Sequence, residues 1–61
     1  MTQEERFEHL KNLPRTHVQS DTVQGKKIIE VSVNGFDAIA RKTVENGETS
    51  YFFAAAARRM F

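Results

Sequence analysis

An apolar residue recurs at every third position near the start of the chain, at Phe7, Leu10 and Leu13. This spacing places the three side chains along one side of an α-helix. Thr2 and Glu5 have the spacing of a capping box, and Pro14 is a natural stop. We therefore predict a helix over residues 3–12, which needs a partner because so short a helix is marginal in water. A sheet is the obvious partner.

The middle of the chain has the pattern of β-strands joined by turns. Residues 28–33 are rich in β-branched side chains and partly alternate between apolar and polar, which predicts a strand. We predict a second strand over residues 36–44 and a third that begins after Gly47. A weaker pattern over residues 16–20 predicts a short strand, followed by a turn or loop over residues 21–25.

Two Asn-Gly dipeptides, at residues 34–35 and 46–47, separate the stronger strands. Asn-Gly is the preferred pair for a two-residue type I′ hairpin turn, because both central residues need a positive φ. A two-residue loop also determines which residues lie opposite each other, so each turn predicts a register.

The predicted register assembles one apolar sheet face from three strands. The pairs predicted at the first turn are Val33–Phe36, Val31–Ala38, Ile29–Ala40 and Lys27–Lys42. The pairs predicted at the second turn are Glu45–Glu48, Val44–Thr49, Thr43–Ser50, Lys42–Tyr51, Arg41–Phe52 and Ala40–Phe53. Ile29, Ala40 and Phe53 then line up across the sheet, where the N-terminal helix can cover them.

The end of the chain is compatible with two structures. The four alanines at residues 54–57 are the best helix formers and poor strand formers, and Arg58 and Arg59 suit a helix C-terminus. A longer third strand reaching Ala57 would instead continue the apolar face of the sheet. We expect the strand to give way to a short helix near Phe53.

Together these elements predict a single small α+β domain over residues 1–61. An amphipathic N-terminal helix packs on a three- or four-stranded antiparallel β-meander, and a short C-terminal helix follows. A chain of 61 residues buries only about 60% of its unfolded surface, so its stability is marginal. It has no cysteine to form a disulfide, so its core or a partner must stabilise it.

The charge balance and hydropathy narrow the class of protein. Nine Lys and Arg against eight Asp and Glu give a net charge of +1, too small to indicate a nucleic-acid or membrane partner by itself. No apolar run approaches the roughly 18 residues of a membrane span. Residues 1–5 lack the features of a secretory signal. We therefore expect a soluble cytoplasmic protein that does not enter a membrane.

No pattern of catalytic, metal-binding or cofactor-binding residues is present in the sequence. His9 and His17 are the only histidines, and neither has a carboxylate pair at ligand spacing, whereas a zinc site needs three or four ligands. The residues around Gly25-Lys26 lack the spacing of a phosphate-binding loop. No serine lies in a Gly-x-Ser-x-Gly elbow. We therefore expect no enzymatic activity, no catalytic residue, no metal and no cofactor.

The predicted register brings basic and aromatic side chains together at one end of the meander. These residues are Lys26, Lys27, Arg41, Lys42, Tyr51 and Phe52. Bases interleaved with aromatics can bind single-stranded nucleic acid through phosphate attraction and base stacking. The alternative is a solvated sheet edge, where lysines oppose aggregation. We favour the alternative, because Glu30, Glu45 and Glu48 would dilute the positive field.

The last residues form the second candidate site, a protein-binding surface. Its members are Arg58, Arg59, Met60 and Phe61. Arg, Met and Phe are enriched at protein interfaces. The alternative is that Met60 and Phe61 fold back on the N-terminal helix and complete the core.

These observations favour a non-enzymatic protein-binding module, such as a small regulator or inhibitor of a larger macromolecular assembly. A nucleic-acid-binding protein that uses the basic and aromatic residues is the second hypothesis. A structural homodimer is the third, because association would bury apolar surface that so small a chain leaves exposed.

Overall fold

The computed structural model describes residues 1–33 and 38–60, which form two helices and a four-stranded sheet. The elements are α1 (Gln3–Lys11), β1 (Thr16–Val23), β2 (Lys26–Val33), β3 (Ala38–Glu45), β4 (Glu48–Phe53) and α2 (Ala55–Arg58). Neighbouring strands are antiparallel, in the order β1-β2-β3-β4. The predicted α+β architecture is confirmed, and a short helix follows Phe53 in place of a longer strand.

α1 begins and ends within one residue of its predicted bounds. Thr2 caps the helix, since its Oγ1 accepts the N–H of Glu5 at 3.1 Å and the carboxylate of Glu5 accepts the N–H of Thr2 at 2.9 Å. Lys11 is the last helical residue. Asn12 follows it and closes the helix, because its backbone N–H and its side-chain amide both donate to the carbonyl of Glu8.

Two tight turns have a positive φ at both central residues, as type I′ turns require. At residues 46–47 the φ angles are 51° and 78°, so this predicted turn is confirmed. At residues 24–25 they are 51° and 79°. The sequence predicts a turn or loop over residues 21–25 but not this two-residue form, because Gln is not a favoured residue at its first central position. It makes β1 and β2 one hairpin, and both strands are longer than predicted. The predicted turn at residues 34–35 and the pair Val33–Phe36 lie outside the described residues.

The predicted register is confirmed between β3 and β4 and wrong between β2 and β3. Every pair predicted across residues 46–47 is present. Between β2 and β3, however, Val31 lies opposite Ala40 and Ile29 lies opposite Lys42, a shift of two residues from the prediction. Because side chains alternate with a period of two, this even shift leaves the residues from Ala40 onward on their predicted faces.

A β-bulge at the start of β3 accompanies this shift. Ser32 lies opposite Ala38 while Val31 lies opposite Ala40, so Ile39 has no partner on β2. Simple alternation would place Ile39 and Ala40 on opposite faces, yet both are buried in the core, with exposures of 4% and 0%. The bulge therefore adds the large side chain of Ile39 to the core beside that of Ala40. It also moves Ala38 to the other face of the sheet.

The core lies between one face of the sheet and the two helices. Its buried residues are Phe7, Leu10, Val31, Ile39, Ala40 and Ala57. The row predicted as Ile29, Ala40 and Phe53 is instead formed by Val31, Ala40 and Phe53. Since α1 and α2 both contribute to this core, neither helix covers the other face, here called the open face. One complete row of the open face consists of Gln19, Glu30, Arg41 and Phe52.

Candidate interaction surfaces

A groove lies between the start of α1 and α2, above the end of β4. Its volume is about 630 Å³. The side chains that line it come from both ends of the sequence, and they are Met1, Gln3, Arg6, Phe53 and Arg58. The groove therefore exists only because the C-terminal helix folds back beside the N-terminal one.

Three contacts hold α2 in this position. The N–H of Ala54 donates to the carbonyl of Ile39 at 2.9 Å, which holds the residue that precedes α2 against the start of β3. Ala57 is fully buried in the core, where a larger side chain would separate the helix from its neighbours. At the end of the helix, Nε2 of His9 lies 3.2 Å from the carbonyl oxygen of Met60. A four-residue helix thus obtains its position from packing, since it is too short to be stable alone.

An aromatic row supports the floor of the groove. The rings of Tyr51 and Phe53 are parallel, with centroids 6.2 Å apart, and Tyr51 also contacts Phe7 at 5.7 Å in a tilted arrangement. Such pairs add stability beyond the area they bury. Phe53 therefore lines the groove from a supported position at the end of β4, while Phe7 anchors the same row in the core.

The lining of the groove gives it a positive and partly apolar character. Arg6 and Arg58 are its charged members, and Met1 and Phe53 supply apolar surface. Met1 is 72% exposed, so most of its side chain is accessible from solvent. A guanidinium group can bind a carboxylate through two parallel hydrogen bonds. This arrangement can hold a ligand, but the described residues that line it include no nucleophile or carboxylate for acid and base chemistry.

The predicted C-terminal surface is partly joined to this groove. Arg58, Arg59 and Met60 are all exposed, and Phe61 lies outside the described residues. Arg58 lines the groove. Met60 is 38% exposed, so its side chain does not complete the buried core. The described members of the set are thus available to a partner at the end of α2.

The predicted basic and aromatic cluster is less compact than the sequence suggests. Lys27 lies opposite Val44, so the predicted pair Lys27–Lys42 is wrong. Nζ of Lys42 lies 5.9 Å from the centre of the Tyr51 ring, within the range of a cation–π contact, on the face that the helices cover. Phe52 is on the open face and is 53% exposed. The aromatic rings therefore do not form one surface with the bases.

Carboxylates pair with two of the bases in this cluster. Nζ of Lys26 lies 3.5 Å from Glu45, and the guanidinium of Arg41 lies 3.3 Å from Glu30. Glu30 lies directly opposite Arg41 in the observed register, a neighbour that the predicted register does not give it. Both ion pairs reduce the positive field that a phosphate would meet.

Sequence reasoning identifies Arg58 but misses the other residues of the groove. Met1, Gln3 and Arg6 belong to the predicted helix and its start, where their pattern gives no reason to connect them with the other end of the chain. The four alanines at residues 54–57 are the available signal, since small side chains allow a helix to approach another closely.

The described residues contain no group of three or more His, Asp or Glu side chains that could hold a metal ion. Neither helix in residues 1–33 and 38–60 has the length and apolar character that a membrane span requires. Comparison of the chain with models of protein families, with curated proteins and with solved structures gave no match.

Proposed function

We propose that the protein is a non-enzymatic protein-binding module, a small regulator or inhibitor of a larger assembly. The observation that carries this proposal is the groove between α1 and α2, whose lining combines Met, Phe and Arg side chains. These residue types are enriched at protein interfaces. Met is also common where a surface adapts to different partners.

The chemistry of the groove supports a particular kind of ligand. Arg58, which is exposed, favours a carboxylate, and the exposed side chain of Met1 favours an apolar side chain next to it. A short segment of a partner protein that carries both features would match this lining. The exposed Arg59 and Met60 extend the same chemistry beyond the groove.

The ion pairs on the sheet support this proposal over nucleic-acid binding. Arg41 and Lys26 each lie beside a glutamate, and Lys42 contacts Tyr51 on the helix-covered face. Binding of a strand of phosphates would have to compete with these contacts. An apolar protein contact at the groove does not disturb them.

Selection of peptides from a random display library on the folded, immobilised protein tests the proposal. We expect the selected peptides to share an acidic residue next to a large apolar one. Arg58→Glu should weaken their binding about tenfold or more, as loss of a central interface arginine commonly does. Lys27→Glu is the matched control, because it makes the same change in charge at an exposed position of β2 outside the groove lining.

Two results would contradict the proposal. One is a similar loss of peptide affinity in the folded Arg58→Glu and Lys27→Glu proteins, which would indicate general attraction between charges. The other is binding of a single-stranded oligonucleotide that falls steeply with salt and is lost in Arg41→Ala. That second result would establish nucleic-acid binding by the sheet instead.

A further inference from the structure

β1 is an edge strand with little of the usual protection against pairing with another strand, since Asp21 is its one acidic or basic side chain apart from His17. It is eight residues long, and every residue after Thr16 is exposed. Natural edge strands are commonly short or carry lysine, proline or a bulge that prevents a second chain from adding to the sheet. Residues 16–23 contain neither lysine nor proline, and β1 pairs with β2 in a continuous register.

The turn at residues 24–25 determines which backbone groups of β1 point away from the sheet. In a tight turn of this kind the carbonyl of Val23 accepts the N–H of Lys26, so this pair is hydrogen-bonded within the hairpin. Hydrogen-bonded and non-bonded pairs then alternate along an antiparallel ladder. The outward-pointing backbone groups are therefore those of Thr16, Val18, Ser20 and Thr22.

A local hydrogen bond supports this assignment. The N–H of Thr22 donates to the carboxylate of Asp21 at 2.8 Å, so this amide is not engaged by β2. Asp21 thus satisfies an outward-facing donor of its own strand. The contact joins adjacent residues on the exposed edge, and a partner strand could replace it.

The sequence of β1 is complementary to itself in one antiparallel register. A two-fold axis through Gln19 places outward backbone groups opposite each other and keeps paired side chains on the same face. The resulting pairs are Thr16–Thr22, His17–Asp21, Val18–Ser20 and Gln19–Gln19. The imidazole of His17 then lies opposite the carboxylate of Asp21, with which it can share a hydrogen bond, and symmetry produces this contact twice.

Neighbouring registers do not place His17 opposite Asp21. An axis through Ser20 places Asp21 opposite Gln19 and His17 opposite Val23. An axis through Val18 places Asp21 opposite Arg15, which has a φ of 66° and precedes the strand. The register centred on Gln19 is therefore the one that places the carboxylate of Asp21 opposite the imidazole of His17, whereas the register centred on Ser20 offers Asp21 the amide of Gln19 and leaves His17 opposite a valine.

We propose that β1 pairs with β1 of a second copy of this chain around Gln19, which joins two four-stranded sheets into one continuous sheet. We assign the partner strand to a second copy of the chain because the side chains of β1 are complementary to those of β1 itself in this register. β4 is less suited to the same contact, because Tyr51 and Phe53 are half-buried beneath the helices while the corresponding residues of β1 are exposed. The contact is small, so we expect a dimer that dissociates in the micromolar range.

Complementary substitutions at His17 and Asp21 test this pairing by sedimentation equilibrium. His17→Glu places two carboxylates opposite each other, and Asp21→Lys removes the hydrogen-bond acceptor. Each change alone should weaken the dimer about tenfold, because it occurs twice in the symmetric contact. An equimolar mixture of the two variants should recover association, since each mixed dimer contains a glutamate opposite a lysine and the native pair once.

Proline substitutions test the backbone contact separately. Ser20→Pro removes an outward N–H of β1 and leaves the bonds to β2 in place, so it should abolish the dimer without unfolding the chain. Thr49→Pro is the matched control, since the turn at residues 46–47 makes the N–H of Thr49 outward-pointing on β4. Circular dichroism verifies that both variants are folded.

Each of three results would overturn the proposal. The first is a monomer at all concentrations up to the millimolar range. The second is a mixture of the His17→Glu and Asp21→Lys variants that associates no better than either alone. The third is loss of the dimer in folded Thr49→Pro together with its retention in folded Ser20→Pro, which would place the contact on β4.

Discussion

At the scale of single residues, Glu5 links the ionisation of the chain to its fold. The hydrogen bond from the Thr2 backbone N–H, followed by the contact with the Thr2 side chain, lowers the pKa of the Glu5 carboxyl below its ordinary value. The charged form is therefore favoured in the folded protein. The Glu5 carboxylate also lies in the first turn of α1, where the helix dipole makes a negative charge favourable.

We expect acid to weaken the start of α1 through this carboxyl. A lowered pKa means that the stabilising contribution is complete above the pKa of the unfolded chain and is lost as the pH falls through the folded value. Glu5→Gln should therefore reduce the fall in unfolding free energy in this acidic range, as measured by urea denaturation at several pH values. Glu4→Gln, its exposed neighbour, is the control. An acid dependence that is identical in Glu5→Gln and wild type would contradict the expectation.

Phe7 and Leu10 are the residues on which the core depends most. Their exposures are 1% and 0%, so each truncation to alanine leaves a cavity between α1 and the sheet. We expect Phe7→Ala and Leu10→Ala each to lower the free energy of unfolding by about 2–5 kcal/mol, measured by chemical denaturation. Phe52→Ala is the control, because this ring is 53% exposed on the open face. An equal effect of all three substitutions would mean that the core lies elsewhere.

At the scale of elements, the two described hairpin turns have nearly the same backbone but different sequences. Gln24 and Asn46 both have a φ of 51°, and the glycine that follows each has a φ close to 80°. Asn tolerates this region better than Gln. The turn at residues 24–25 is therefore formed at a conformational cost that the turn at residues 46–47 largely avoids.

Exchange of these residues should change stability in opposite directions. We expect Gln24→Asn to raise the free energy of unfolding by about 0.5 kcal/mol and Asn46→Gln to lower it by a similar amount. Thermal denaturation of the two variants, beside their double mutant, measures both effects. If both single variants changed the free energy of unfolding in the same direction, side-chain contacts and not backbone conformation would determine the effect.

The hairpins also show what the sequence can predict at this scale. The register of β3 with β4 follows from one Asn-Gly turn, because a two-residue loop leaves no alternative. The register of β2 with β3 does not follow, since the bulge at Ile39 depends on packing that involves α1 and α2. The groove could not be predicted from the sequence either, because Arg6 and Arg58 come to line one groove only when both helices pack on the sheet. Local chemistry thus determines the strands and faces, while tertiary packing determines the site.

At the scale of the whole molecule, a single layer of helices on a four-stranded sheet leaves much of the chain exposed. Val18, Val23 and Phe52 have exposures of 47%, 43% and 53%. A domain of this size has little stability to lose. Its stability should therefore respond strongly to association.

We expect the thermal unfolding midpoint to rise with protein concentration. The proposed β1 pairing converts folded monomers into folded dimers. By mass action this stabilises the native state more strongly at higher protein concentration. Differential scanning calorimetry over the micromolar range measures the shift, and Ser20→Pro should eliminate it. A midpoint that does not vary with the concentration of the wild-type protein would contradict the expectation.

The position of Phe53 on β4, at the edge of the sheet opposite β1, has a consequence for such a dimer. Pairing through β1 leaves the grooves of the two copies at the far ends of the joined sheet, both accessible from solvent. A target with two suitable segments could then bind bivalently, and avidity would increase its apparent affinity by about 10²–10⁴-fold if its spacing matched. A modest groove on a very small chain would in this way distinguish repetitive or oligomeric targets from single ones.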